Sequence, residues 1–233
     1  MGSSSKSEML LEAVAERGRH LYADDEKSRA LSRLMEEIAS CRVCRDAPIG
    51  SPLPHEPRPV LRPSTTARIA ICGQAPGARV HASGTPFTDR SGDRLRQWMG
   101  VTMQDFYDDS RIAIIPMGFC FPGYDRKGSD LPPRPQCAPR WRSKLFGLMP
   151  QLELILLVGA YAQRWHLGPR VKSTLADTVG AWRDYTGGGG CPQLMPLPHP
   201  SWRNNAWLRQ NRWFETELVP ELRCSVRALL DRA

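Results

Sequence analysis

The chain has 233 residues, with 32 Lys and Arg against 24 Asp and Glu, a formal net charge of +8. That length suits a single α/β domain with a real core, and an excess of charge carried mostly by Arg suits an anionic partner, DNA or RNA first. No apolar run approaches the roughly 20 residues of a membrane span, and the opening MGSSSKSEML has no apolar signal region, so a cytoplasmic protein with no membrane partner is expected.

Taken in chain order, residues 8–22 and 28–40 carry Leu, Ala, Met and Ile at helical intervals and predict two helices. They lead into CRVC. Residues 47–66 are proline-rich without periodicity, which predicts an extended connection across the surface. Then 67–72 (ARIAIC) is expected as a buried strand, GQAPG as its exit loop and 91–100 as a helix. The alternation continues with a strand at 111–120, a helix at 135–150, a strand at 152–159 and a helix at 160–168. A short strand follows within 191–202, and a long amphipathic helix at 212–233 closes the chain. This order predicts one three-layer α/β/α domain around a mostly parallel four-stranded sheet. Ligands in such sheets bind beyond the carboxyl ends of the strands, where the loops 73–89 and 198–205 both fall.

Both loops have unusual chemistry. GQAPG alone is a tight turn that could offer backbone N–H groups to a phosphate. In LPHPSWRNN, however, His199 stands between two prolines that fix the backbone and aim the ring. Among seven cysteines, Cys41 and Cys44 form C-x2-C, while Cys120 and Cys137 are separated by 16 residues. Seven thiols in a chain expected to be cytoplasmic argue against a disulfide framework and for thiols with a chemical role or thiols buried in the core. Cys72, Cys191 and Cys224 sit in strand or helix patterns and are expected as small core residues.

The paired loops resemble the uracil-DNA glycosylase superfamily. The stretch GQAPGARVHASGTPFTDRSGDRL is similar to the first motif of the iron–sulfur group, family 4, and HPSWRNN is similar to the second motif of the single-strand-selective monofunctional type. The resemblance covers residues 41–205. It implies a monofunctional glycosylase that flips uracil out of DNA and leaves an abasic site, acting as a monomer. It also implies a [4Fe-4S] cluster on Cys41, Cys44, Cys120 and Cys137, with four-thiolate zinc or unliganded buried thiols as the alternatives. Non-catalytic sequestration of uracil or abasic DNA, or excision of xanthine or hypoxanthine, are the competing functions.

Carried over residue by residue, the resemblance places Gly73, Ala75, Pro76 and Gly77 on the base pocket and makes Phe87 the stacking aromatic. His199, kept neutral, donates to the uracil oxygen as charge develops on it. The motif has no carboxylate of its own, since Gln74 and Ala75 stand where relatives carry Glu and Asp. Gln74 with His81 is therefore expected to handle the water, with Asp89 as the rival. Pro116 replaces an Asn that reads the uracil edge, which leaves backbone groups around Met117 and Gly118, or the side chain of Asn204, to read it. Ser201, Arg203, Asn205, Arg140 and Arg142 are the expected DNA contacts, with Arg203 or Asn204 entering the gap left by the base.

Overall fold

The computed structural model describes residues 25–187 and 192–232; the expected helix at 8–22 and Cys191 lie outside these residues. Four parallel strands form one sheet in the order β2-β1-β3-β4, namely β1 (Ile69–Cys72), β2 (Ile112–Ile114), β3 (Leu154–Val158) and β4 (Gln193–Leu197). Helix α1 runs through residues 25–39 and a short α2 (Val43–Asp46) follows it. Between β1 and β2 lie α3 (Ala78–Ser83), α4 (Arg90–Met99) and α5 (Met103–Phe106), and α6 (Cys137–Gly147) connects β2 to β3. Between β3 and β4 come α7 (Ala160–Leu167), α8 (Leu175–Gly180) and α9 (Trp182–Thr186). The chain ends with α10 (Asn205–Gln210), a π-turn at Phe214–Leu218, and α11 (Val219–Leu230). Among the described residues no helix is long and apolar enough to cross a membrane.

The strands are continuous apolar runs because both sheet faces are covered. Their period-two alternation divides the core. Ile69, Ile71, Leu154, Leu156 and Val158 join α4, α5 and α11 in one layer, whereas Ala70, Cys72, Ile155 and Leu157 join α1, α6 and α7 in the other. In α11 the residues Val219, Leu222, Val226 and Leu229 repeat at helical spacing and are all buried, each contributing about 1.5–3 kcal/mol. The register places Ile69 beside Ile112 on one side and Leu154 on the other, so the exit of β1 lies between two neighbouring strand ends. That crevice is the ligand edge.

Three expectations change. The proline-rich connection is extended but not merely superficial, because Leu53, Val60 and Leu61 are buried and Arg62 exchanges both backbone hydrogen bonds with Ile114, each at 2.8 Å. It thereby covers the outer edge of β2, a position where prolines that cannot donate are tolerated. Strand β2 is shorter than expected, Ile112–Ile114, and the chain beyond it stays bonded to the β1 exit through Ile115 N–H to the Ile71 carbonyl and Met117 N–H to that of Gly73. Cys224 is exposed rather than in the core, whereas Cys72 is fully buried.

Arg142 also corrects the expected DNA surface. It is 1% exposed. Its guanidinium donates to the carbonyls of Ile115 and Pro116 at 3.1 and 3.0 Å, to Cys72 Sγ at 3.1 Å, and to Nε2 of His166 at 2.5 Å. It is a strut through the core, tying α6 to β1, α7 and the exit of β2, and it cannot grip a phosphate. Burial and then the Arg142 charge push His166 down to about 3, which keeps that ring neutral and able to accept.

Candidate active site

Beyond the carboxyl ends of the strands lies a cavity of about 570 Å³, open to solvent. Its walls are Gly73, Gln74, Ala75, Pro76 and Gly77 from the β1 exit, Pro86, Phe87 and Asp89 ahead of α4, Pro116 after β2, Asp130 from the long loop before α6, and His199 after β4. Residues more than a hundred positions apart are brought together there, as the two loops predict.

Phe87 has φ +56, a left-handed conformation that a bulky side chain rarely adopts. Such strain persists only where neighbours enforce it. Here the Phe87 carbonyl accepts from Arg96 Nη1 at 3.3 Å and from Tyr107 Oη at 3.1 Å, and Tyr107 also reaches the Pro86 carbonyl at 2.8 Å. The same carbonyl lies against Gly92, where a Cβ would come within 1.9 Å of it. The ring meets Phe106 edge-on at 5.9 Å, and its Cζ would be 3.4 Å from a Cβ at Gly73. Glycine at 73 and 92 therefore lets one aromatic ring stand at the cavity wall.

His199 is held as firmly. The Ser201 N–H donates to its Nδ1 at 3.2 Å, so the neutral ring carries its proton on Nε2. Gly159, at φ +85 directly after β3, passes under the ring, and a Cβ there would lie 3.7 Å from that of His199. Asn204 Nδ2 donates to the His199 carbonyl at 2.7 Å and Arg94 Nη1 to that of Ser201 at 3.2 Å. Burial lowers the His199 pKa, Asp89 acts against that shift and Arg203 adds to it, so the neutral donor form prevails at physiological pH.

Gln74 directs Nε2 toward the Leu131 carbonyl at 3.5 Å, and among the described residues its Oε1 takes up no hydrogen bond. Asp89 Oδ1 accepts from the N–H groups of Ser91 and Gly92 at 3.0 and 3.2 Å, capping α4 while remaining on the cavity wall. Asp130 was not anticipated. Its Oδ2 would be 3.5 Å from a Cβ at Gly77, and lost hydration raises its carboxyl, with Arg203 opposing and Asp89 reinforcing the rise. Nothing local in GSDLPP marks it, since its place in the cavity depends on a loop folding back across 57 residues to Gln74.

Other expected site residues lie elsewhere. His81, on α3, is not a cavity residue; its ring packs 4.1 Å from that of His55, and its buried Nδ1 has no hydrogen-bond partner among the described residues. The N–H groups of Met117 and Gly118 are taken up by the carbonyls of Gly73 and Gln74 at 2.9 and 3.0 Å, so neither is free to read a base. The Asn204 amide braces the His199 loop instead of entering the cavity. Asn205 begins α10 and borders a separate surface cleft with Arg94 and Gln97. Ser201 caps the turn at Arg203 N, and Arg203 is exposed with its guanidinium 5.9 Å from the Trp202 ring centre. Trp202, unmarked by its sequence neighbours, is 73% exposed beside it.

A second cavity, of about 440 Å³, is lined by Cys41, Cys44, Cys120 and Cys137 together with Ile38, Phe119, Trp141 and the exposed Arg140. Burial, opposed by a neighbouring backbone N–H and reinforced by the charges of the other thiols, pushes Cys120 and Cys137 each up to about 12. Arg134 and Gln136 line the same cavity, and Arg134 Nε and both amide atoms of Gln136 are buried with no partner among the described residues. Among the described residues no three His, Cys, Asp or Glu side chains are gathered as ligands of one metal ion.

The model of a family described as the Uracil DNA glycosylase superfamily matches residues 61–223, a span that holds β1 to β4 and both loops of the first cavity. With more than half of its length matched, the chain belongs to the uracil DNA glycosylase superfamily.

Proposed function

We propose that the protein is a monofunctional uracil-DNA glycosylase; membership of the superfamily supports DNA glycosylase activity, and the likeness of its two loops to those of uracil glycosylases supports uracil as the base. The single observation that carries the proposal is one cavity walled by a flat aromatic, Phe87, and by a neutral imidazole with its proton on Nε2, His199. The target nucleotide leaves the stack at a cost of a few kcal/mol, and its base lies against Phe87. The glycosidic electrons leave with the base, and His199 Nε2–H donates to the carbonyl oxygen that becomes anionic. A donor of this kind contributes about 3–4 kcal/mol. Gln74 Oε1 offers the water an acceptor. Arg203 and the exposed Trp202, standing beside His199 in sequence and on the surface, are the groups placed to meet the flanking DNA.

The four cysteines fit a [4Fe-4S] cluster better than a single zinc ion. They share one apolar cavity with donors on Arg134 and Gln136 that have no partner among the described residues, where they do not close around one ion. Bound there, such a cluster would cross-link the 41–44 and 120–137 segments and supply one-electron redox capacity. No chemical step at the base cavity is assigned to it.

The test is base release from a uracil-containing oligonucleotide, followed by alkali cleavage at the abasic site, with thymine, hypoxanthine and xanthine substrates beside it. Uracil is expected to be released fastest, and His199→Ala to slow that release about 100-fold or more. Faster release of a deaminated purine overturns the uracil assignment. An unchanged rate in the variant removes His199 from the mechanism.

A further inference from the structure

We propose that Asp130 takes the proton from the hydrolytic water, supplying from the 124–131 loop the carboxylate that the β1 exit motif lacks; this rests on the glycosylase reading above. The cavity wall holds two carboxylates, Asp89 and Asp130. They are not equivalent. Asp89 Oδ1 accepts two backbone N–H groups at the start of the ten-residue α4, so that oxygen is already engaged as the helix cap. Among the described residues the Asp130 carboxylate carries no hydrogen bond or ion pair.

The placement of Asp130 is set by its loop. Tyr124 and Asp130 form an antiparallel bridge, the Leu131 N–H donates to the Gly123 carbonyl at 2.9 Å, and Asp125 Oδ1 accepts from the N–H groups of Lys127 and Ser129 at 2.8 Å each. The Leu131 carbonyl receives Gln74 Nε2, so the neighbouring Asp130 is held beside Gln74. Both residues line the same cavity, and Asp130 Oδ2 lies against Gly77, 3.5 Å from where a Cβ there would sit. Asp89, Arg203 and His199 are the charged or titratable groups around it, and the net influence of burial, Asp89 and Arg203 raises the Asp130 carboxyl. The two carboxylates thus differ in engagement: Asp89 is spent on capping α4, and Asp130 is left to accept a proton.

The step balances. The C1′–N bond breaks with both electrons leaving on the base, the water oxygen forms the new C1′–O bond, and one water proton passes to an Asp130 oxygen and then to solvent. The base anion leaves against the His199 donor and takes a proton from solvent.

The experiment measures single-turnover excision of uracil and, separately, binding of the full chain to duplex DNA with an abasic-site analogue. Asp130→Asn, of nearly the same shape, is expected to slow excision at least 100-fold while the Kd for the analogue changes less than threefold. Added formate is expected to restore excision at least tenfold in Asp130→Ala and not in Asp130→Asn. An Asp130→Asn rate within threefold of the parent overturns the assignment, as does a slow Asp130→Ala protein that formate leaves unchanged. Absence of base release by the parent protein instead overturns the glycosylase reading, and this assignment with it.

Discussion

Gly92 tests whether the shape of the Phe87 loop is set by backbone crowding. On helix propensity alone, Ala should be about 1 kcal/mol better than Gly inside α4. The structure predicts the opposite sign. A Cβ at 92 would sit 1.9 Å from the Phe87 carbonyl oxygen and 2.8 Å from the Phe87 Cβ, and these are atoms of a constrained loop rather than the end of a flexible side chain. Overpacking of this kind costs about 1–3 kcal/mol, and moving the carbonyl forfeits the Arg96 and Tyr107 hydrogen bonds, each about 0.5–1.5 kcal/mol. After the propensity gain, Gly92→Ala should destabilise by about 3 kcal/mol, lowering the melting temperature by roughly 6–12 °C for a chain of this size. Excision should fall further, by about 100-fold, because displacing the stacking ring by about 1 Å misplaces the base. The control is Gly147→Ala at the end of α6, where a new Cβ meets nothing within 4 Å, so that substitution should be neutral or stabilising by a few tenths of a kcal/mol. Thermal melts of both variants beside the parent, with single-turnover excision, decide it; if Gly92→Ala melts at or above the parent temperature, the crowding argument is wrong.

Other outcomes follow from the same geometry. Protein purified without oxygen should be brown, absorb near 400 nm and hold about four irons per chain, with the colour lost in Cys137→Ala; colourless protein with one zinc would refute the cluster. A histidine whose folded pKa lies below its unfolded value binds its proton only in the unfolded chain between the two, so stability falls as pH drops through that window. For His166 the window runs from 6.5 to about 3, with a slope of about 1.4 kcal/mol per pH unit. His166→Gln, whose amide oxygen can still accept from Arg142, should flatten urea-unfolding stability between pH 6 and 4 by that amount, and an unchanged slope would show that His166 does not cause it. Arg203→Ala should reduce the salt dependence of DNA affinity by about one unit of slope. Arg142→Met should leave that slope unchanged, whatever it does to stability; a change there would return Arg142 to the DNA surface.

The alternation of strands and helices and the two loops at one sheet edge were legible because each depends on local chemistry, whereas the meeting of Phe87 with His199 was what the resemblance of the two loops implied. Apolar runs declare buried strands, and glycine or proline at fixed offsets declares the turns that follow them. Arg142 looked like its exposed neighbour Arg140, because one residue along α6 separates solvent from core and only the packed layers show which faces inward. Met117 and Gly118 seemed able to offer N–H groups until the chain after Pro116 proved to be bonded along the β1 exit loop. The Asn204 amide and the His81 ring likewise found partners in neighbouring backbone and in His55.

By itself, the sequence determined which segments become strands and which loops face the ligand edge, since periodicity and turn chemistry act within a few residues. Only the tertiary structure decided which polar groups around that edge remain free, and brought Asp130 among them. Hydrogen-bond partners and burial are set by chain segments that come together only when the sheet and its two helical layers close.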